Sequence, residues 1–154
     1  MPYRVTARSD PAAVERLLRG LPGWFGIESS IVEYVEAAAR LPTLLAGDGP
    51  DAPPVGALVL QRHFPGSAEI HLIAVERFWH RRGVGRALVE AAEQAMAADG
   101  VTLMSVKTLG PSRPDAGYAG TRRFYAAMGY QPLQELLDLW PGNPCLLMVK
   151  PISR

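Results

Sequence analysis

The chain has 154 residues, of which 48% are hydrophobic and 20% charged, and its formal net charge at pH 7 is +1. This size and composition are typical of one soluble globular domain, expected over residues 1–154, and the small net charge gives no reason to expect a nucleic acid or a membrane as a partner. No apolar run approaches the roughly 20 residues of a membrane-spanning helix, and the N-terminus carries no signal-peptide pattern. A single cysteine excludes an internal disulfide. We therefore expect a cytoplasmic protein.

Hydrophobic periodicity and turn residues divide the chain into strands and helices. Their order, β-α-α-β-β-β-α-β-α-β-β, predicts a mixed α/β fold with a largely antiparallel central sheet of about seven strands and four helices on both faces. In chain order, the elements are a strand at residues 3–8, helices at 12–20 and 28–41, strands at 43–46, 55–64 and 68–75, a helix from 84 to a stop at 99–100, a strand at 101–108, a helix at 119–128, and strands at 130–138 and 145–150.

Three connections stand out as longer segments. Trp24 and Phe25 lie between the first two helices, where they either form a lid packed on the core or wall a substrate pocket. Residues 109–118 are rich in glycine and proline and predict a loop of about ten residues, longer than a tight connection needs. Residues 139–144 are expected to bridge the last two strands.

The most informative stretch is the strand, turn and helix at the centre of the chain. A nearly continuous apolar run at residues 70–75, broken only by His71, predicts a strand buried on both faces. The helix that follows has free amides at its start, and its dipole favours an anion there. Gly83 and Gly85 allow close backbone approach, and four arginines lie nearby, so the turn is expected to bind an anion such as phosphate. Apolar residues mark the buried face of this helix at Val84, Ala87, Leu88, Ala91, Ala92, Ala95 and Met96.

Other phosphate-binding patterns fail at this turn. Leu88 stands where the third glycine of the dinucleotide fingerprint belongs, and no acidic residue closes the next strand. No Gly-x-x-x-x-Gly-Lys-Ser/Thr sequence is present either. The remaining alternative is an ordinary strand-to-helix turn whose arginines are solvated.

Residues 80–85, His-Arg-Arg-Gly-Val-Gly, resemble the pyrophosphate loop of the GNAT superfamily of acyl-coenzyme-A-dependent N-acyltransferases, with histidine in place of arginine or glutamine. Residues 121–130 resemble a second motif of the family, with Thr121 in place of a small apolar residue. The predicted order of strands and helices also resembles that of the GNAT fold over essentially the whole chain. The resemblance implies that coenzyme A is held by Ile73, Ala74, Val75, Arg81, Arg82, Gly83, Val84, Gly85 and Arg86.

Transfer of an acyl group to an amine needs a base, because a primary amine with a pKa near about 10 is mostly protonated at pH 7. Glu69 is the first candidate, since strand alternation puts it on the same face as His71. The resemblance also implies this role, because a glutamate near this spacing is the general base in the histone-acetyltransferase branch. Glu69 as a solvated strand-end carboxylate and His71 as the base both remain open. Glu76 ranks below both and is expected to cap the turn or pair with an arginine.

Tyr125 lies in the second motif, and the resemblance implies that it is the general acid for the departing thiolate. The alternative is a core tyrosine whose hydroxyl is satisfied. Cys145 lies in an apolar strand and is expected to be buried and inert.

The resemblance implies an N-acetyltransferase that moves an acetyl group from acetyl-coenzyme A, without a metal, to a primary amine of a small molecule or peptide, with a homodimer left open. The acceptor cannot be identified from the sequence, although Trp24, Tyr118, Trp140 and residues 109–118 are candidates for a pocket wall. A non-catalytic acyl-coenzyme A sensor and a nucleotide-binding module are the alternatives, and the failed fingerprints weaken the second.

Overall fold

The computed structural model describes residues 3–49 and 51–154. The strands are β1 (Arg4–Ala7), β2 (Thr43–Gly47), β3 (Gly56–Phe64), β4 (Ser67–Val75), β5 (Leu103–Leu109), β6 (Gln131–Trp140) and β7 (Asn143–Pro151). The helices are α1 (Pro11–Arg19), α2 (Glu28–Arg40), α3 (Val84–Ala98) and α4 (Ala116–Ala127), and one turn of 3-10 helix (Arg77–Trp79) precedes α3. Among these residues, no helix is both long and apolar enough to cross a membrane.

The strands form one seven-stranded sheet in the order β1-β2-β3-β4-β5-β7-β6. β4 and β5 are parallel, with Glu69 opposite Ser105. The pairs β1–β2, β2–β3, β5–β7 and β6–β7 are antiparallel. The predicted mixed α/β class, strand number, helix number and mostly antiparallel sheet are therefore confirmed.

The described residues divide into two compact units, one of residues up to 61 with 71–95 and one of 62–70 with 96–154. This division does not test the prediction of a single domain, which stays a prediction. In the first unit, Asp10 caps α1, because its Oδ1 accepts a hydrogen bond from the Ala13 amide at 3.1 Å. The core of this unit combines side chains from α1, the turn after it, α2 and strands β2, β3 and β4: Val14, Leu17, Leu18, Leu21, Ile31, Ala38, Leu45, Ala57, Val59, Leu72 and Ala74.

Paired arginine and glutamate side chains join α1 to the start of α2 in the first unit. The Arg19 guanidinium donates to both Glu28 carboxylate oxygens, at 2.8 and 2.9 Å. These hydrogen bonds lower the pKa of Glu28 and raise the pKa of Arg19. Both side chains are solvent-exposed, so the pair adds little to the free energy of unfolding and mainly fixes orientation.

In the second unit, β7 lies between β5 and β6 and is antiparallel to both. α4 packs against β5. Met104, Cys145 and Met148 are almost fully buried in this unit. The Arg122 guanidinium on α4 donates to the Leu109 carbonyl oxygen at 2.7 Å, which ties the helix to the end of β5.

Two connections in this unit are shorter than predicted. α4 begins at Ala116 rather than at 119, because the Asp115 side chain accepts a hydrogen bond from the Tyr118 amide and caps the helix. The predicted loop at 109–118 therefore shrinks to residues 110–115. The predicted bridge at 139–144 is wrong, because the last two strands extend to a tight turn at Pro141 and Gly142, where glycine adopts φ 72°.

The central strand and helix also differ from expectation in detail. β4 is not buried along both faces, since His71, Ile73 and Val75 are half-buried while Leu72 and Ala74 between them are buried. In α3, Ala95 is exposed rather than buried. The simple apolar pattern does not distinguish small residues that face the core from those that face water.

Candidate active site

The first candidate region is the turn between β4 and α3, in the first unit. After the 3-10 helix, the Nε2 of His80 donates to the Val75 carbonyl oxygen at 2.7 Å. The imidazole also meets the Trp24 indole edge-on, with ring centroids 5.5 Å apart. His80 therefore fastens the turn to the end of the strand, which gives a structural reason for a histidine at this position.

The turn contains two residues with a left-handed backbone, Arg81 with φ 63° and Gly83 with φ 86°. Glycine adopts this conformation freely, whereas for another residue it costs roughly 1–2 kcal/mol. A strained non-glycine residue of this kind is more common at functional sites than elsewhere. No pattern in the sequence predicted this backbone conformation for Arg81.

The start of α3 presents free backbone donors. The first hydrogen bond of the helix runs from the Ala87 amide to the Gly83 carbonyl oxygen, at 3.0 Å. The amides of Val84, Gly85 and Arg86 precede that bond and have no partner within the helix. Together with the positive end of the helix dipole, they form the kind of donor group that binds phosphate.

Arg82 is held at both its backbone and its side chain. The Tyr3 hydroxyl donates to the Arg82 carbonyl oxygen at 2.6 Å. The guanidinium lies over the rings of Phe78 and Trp79, 4.5 and 5.5 Å from their centroids. The aromatic rings therefore position this positive charge beside the turn.

A cleft of about 480 Å³ adjoins the turn and is lined by Tyr3, Asp48, Arg82, Gly83, Arg86, Ala87 and Glu90. Arg86 pairs with Glu90 across 3.7 Å, and both side chains are more than half exposed. Such a surface pair contributes little, so a bound anion can replace Glu90 as the partner of Arg86. The structure thus brings Arg82, Gly83 and Arg86 to one cleft.

The three strand residues predicted to contact coenzyme A differ in exposure. Ala74 is 3% exposed and belongs to the core of the first unit, so a ligand can meet it only through its backbone. Ile73 and Val75 are half-buried, and the Val75 carbonyl already accepts the hydrogen bond from His80.

Trp24 and Phe25 pack against the same core. The Phe25 ring meets the Tyr34 ring edge-on at 5.8 Å. These contacts support the prediction of a lid on the core, while a role in a substrate pocket stays a prediction.

Glu69, in the second unit, is buried rather than solvated at a strand end. The residue is 5% exposed. Its Oε1 lies 2.7 Å from the His63 Nε2, and its Oε2 accepts a hydrogen bond from the Lys107 Nζ at 3.1 Å. The strand register explains the second contact, because Glu69 lies opposite Ser105 and Lys107 is two residues further along the same face of β5.

The other two candidates for the base have structural contacts. The His71 ring meets the Tyr34 ring at 5.5 Å. Glu76 pairs with Arg16 at 3.8 Å, which agrees with the expectation that it pairs with an arginine.

Tyr125 is 4% exposed. Its ring contacts those of Phe124 and Tyr130, with centroid distances of 5.4 and 6.0 Å. Burial among aromatic rings is compatible with a core role and with a proton donor in a water-poor site, so its role as general acid stays a prediction.

Cys145 is fully buried, and burial raises the pKa of its thiol. A protonated, inaccessible thiol is a poor nucleophile, which supports the expectation of an inert cysteine. Within residues 3–49 and 51–154, no three His, Cys, Asp or Glu side chains form a group that could hold a metal ion.

The segment between β5 and α4 is fastened to the last two strands. The Ser112 hydroxyl donates to one Glu135 carboxylate oxygen at 2.6 Å, and the Ser112 amide to the other at 2.9 Å. These two hydrogen bonds lower the pKa of Glu135. The Arg113 guanidinium also donates to the Asn143 side-chain oxygen.

The sequence analysis missed His63, Lys107 and Tyr3. His63 and Lys107 contact Glu69 only because of the strand pairing, and Tyr3 reaches Arg82 across 79 positions. A polar residue on an exposed strand face gives no local signal of such a contact. The alternation of β5 is the one feature that could have put Lys107 on the face of Ser105.

The sequence profile of the acetyltransferase (GNAT) domain matches residues 45–132, more than half of the chain. The chain belongs to the GNAT acetyltransferase family. The match includes the whole turn from β4 to α3 as well as Glu69 and Tyr125. A comparison with curated protein sequences gives no match.

Solved structures of GNAT proteins have the same fold. A putative acetyltransferase of the GNAT family from Desulfovibrio desulfuricans has a TM-score of 0.84 and 18% identity, with 99% of this chain and 100% of that chain covered. The ribosomal-protein-S18-alanine N-acetyltransferase from Escherichia coli has a TM-score of 0.77 and 17% identity, with 99% and 96% covered. An aminoglycoside 6'-N-acetyltransferase complexed with coenzyme A has a TM-score of 0.70 and 19% identity, with 100% and 98% covered. At these identities the likeness shows the GNAT fold alone.

Proposed function

We propose that this GNAT protein is an N-acetyltransferase that moves an acetyl group from acetyl-coenzyme A to a primary amine by direct attack. The observation that carries the proposal is the turn at residues 81–86. It combines two residues with a left-handed backbone conformation, first-turn amides without a partner in the helix, and arginine side chains at the start of α3. A similar fold in an aminoglycoside 6'-N-acetyltransferase complexed with coenzyme A supports it.

The residues of the turn fit the pyrophosphate of coenzyme A. A pyrophosphate needs several convergent N–H donors and nearby positive charge. Val84, Gly85 and Arg86 offer the amides, while Arg82 offers a positioned guanidinium. A side chain at Gly83 would narrow the space in which a pyrophosphate approaches the backbone. The nearest atom to a Cβ added at Gly83 is a Tyr3 ring carbon at 3.9 Å. Ile73, Ala74 and Val75 are proposed to contact the pantetheine arm through their backbone.

The proposed reaction converts an ammonium ion and a thioester into an amide, a thiol and one proton. The ammonium ion first loses a proton, and the nitrogen lone pair then forms the C–N bond as the C–S bond breaks and its electron pair goes to sulfur. The nitrogen loses its second proton to give the neutral amide. Glu69 is proposed to promote loss of the amine proton, and Tyr125 is proposed to protonate the departing thiolate. Because the leaving group of a thioester is weakly basic, we expect the amine proton to be the more demanding transfer.

We propose a small-molecule or peptide amine as the acceptor, with no nucleic acid or membrane as a partner. A cytoplasmic location suits a chain whose single cysteine is a buried free thiol. A homodimer is the assembly that we would test by light scattering.

A second candidate is a non-catalytic acyl-coenzyme A sensor, favoured by the burial of both Glu69 and Tyr125. An acetyl-coenzyme A-dependent thiol-release screen over small amines, aminoglycosides and peptide N-termini separates the two. An enzyme releases thiol faster in the presence of at least one amine class than in the absence of any amine. Binding of coenzyme A without amine-dependent release from any class would favour the sensor and contradict the transferase.

A further inference from the structure

The carboxylate of Glu69 is poorly placed to take a proton itself. Both of its oxygens are engaged, one by His63 and one by Lys107. Its side chain is only 7% exposed, whereas the side chains of His63 and Lys107 are 40% and 32% exposed. Direct proton transfer to Glu69 would place the proton on an oxygen that already accepts a hydrogen bond, inside a buried site, and would weaken that contact.

The contact with Glu69 also indicates which nitrogen of His63 carries the proton. An ionised carboxylate can only accept hydrogen bonds. Nε2 then donates to Glu69 Oε1, which leaves the lone pair of a neutral imidazole on Nδ1. Within the described part of the chain, the contact with Glu69 is the one polar contact of the His63 ring.

We infer that His63 Nδ1, rather than Glu69, receives the proton of the acceptor amine. This inference rests on the proposed transferase function. The amine N–H bond breaks, a new N–H bond forms at Nδ1, and the amine lone pair becomes free to attack the thioester carbon. Glu69 is then a positioning residue, which orients the imidazole and stabilises the imidazolium through Nε2, and His63 is the catalytic residue.

The surrounding charges are compatible with this role. The charges of Lys107 and Glu69 offset each other in their ion pair, so an imidazolium beside them would add a single positive charge. Arg62, the neighbour of His63 on β3, is occupied elsewhere, because its guanidinium pairs with Asp99 at 2.5 Å and donates to the Pro65 carbonyl oxygen at 2.7 Å. Imidazole suits the task because it takes up and releases protons near neutral pH.

The test compares steady-state kinetics of wild type, His63→Gln, His71→Gln and Glu69→Gln from pH 6 to 10, with any amine that gives thiol release. We expect His63→Gln to lower kcat by roughly 10²–10⁴-fold at neutral pH. The KM for acetyl-coenzyme A should stay unchanged, and the loss should shrink as the pH approaches the pKa of the amine. A smaller loss is expected for Glu69→Gln, because the amide can still accept a hydrogen bond from Nε2.

Two further measurements separate catalysis from folding. Glu36→Gln makes the same chemical change as Glu69→Gln at an exposed position of α2 and should behave as wild type. Added imidazole should restore part of the kcat of His63→Ala, which a purely structural role would not allow. Thermal unfolding of each variant identifies any loss of folded protein. Nitrogen-15 spectra of wild type should show neutral His63 with its proton on Nε2.

The outcomes are distinct. A wild type that releases no thiol with any amine refutes the transferase function and this inference with it. An active wild type with a His63→Gln variant of unchanged kcat at every pH overturns this inference alone. A loss that follows His71→Gln instead, or a neutral His63 with its proton on Nδ1, also overturns it.

Discussion

Replacement of Gly56 by alanine tests the packing that supports the start of α3. Gly56 begins β3, and an added Cβ would lie 2.8 Å from the Val84 Cγ1 and 3.0 Å from the Leu88 Cδ1. Both neighbours are at most 1% exposed, so neither side chain can move into solvent. Such overpacking costs about 1–3 kcal/mol, and the lower entropy of the unfolded alanine chain returns about 0.4–1 kcal/mol.

We therefore expect Gly56→Ala to lower the free energy of unfolding by about 1–2 kcal/mol. For a chain of this size, that corresponds to a fall in Tm of about 2–8 °C. The measurement is urea and thermal unfolding followed by circular dichroism. Because Val84 opens α3, weaker binding of coenzyme A to Gly56→Ala is also expected.

Gly23→Ala is the matched control. An added Cβ at Gly23 meets nothing within 4 Å, and its backbone is not left-handed. Its stability should equal that of wild type or exceed it by up to about 1 kcal/mol, because the unfolded alanine chain has lower entropy. In a Val84→Ala background, Gly56→Ala should cost less, with a coupling of about 0.5 kcal/mol or more. Equal stability of Gly56→Ala and Gly23→Ala would refute the packing argument.

Three further outcomes are expected. Gly83→Glu and Gly85→Glu should each abolish coenzyme A binding in calorimetry, through bulk and negative charge at the turn, and normal binding would place the site elsewhere. Tyr125→Phe should keep fold and coenzyme A affinity but lower turnover by roughly 10²–10⁴-fold, with less loss for a better leaving thiol; unchanged turnover with chemistry rate-limiting would make the hydroxyl structural. Ser112→Ala should be less stable than wild type at neutral pH. Because Ser112 lowers the pKa of Glu135 in the folded state, its contribution is present above the ordinary carboxyl pKa of about 4.3 and is lost as the pH falls through the lower folded value. A stability difference in urea unfolding that is the same at every pH would contradict this linkage.

Local patterns predicted the turn at residues 81–86 well, because a strand, spaced glycines and a helix start lie within one short stretch. The same holds for α1, because Asp10 and Pro11 are residue types typical of the cap and first position of a helix. In contrast, Asp115 also caps a helix, but the proline and glycine around it favoured a loop. Local signals therefore succeed where neighbouring residues agree and fail where they compete.

The contacts of Glu69 depend on strands distant in the sequence. Lys107 is 38 positions away and reaches the carboxylate only through the parallel register of β4 and β5. His63 is close in sequence, yet its contact depends on how the chain turns after Phe64. No periodicity in one strand specifies its partner's register, so the sequence could point to Glu69 but not to its surroundings.

The most direct test of acetyl transfer uses acetyl-coenzyme A with an isotopically labelled acetyl group and mass spectrometry of an amine panel. The account predicts one labelled acetyl group on the amine nitrogen of an acceptor for each thiol released, and no labelled product with Gly83→Glu. Tight binding of coenzyme A by the wild type with no labelled amine in any class would contradict it.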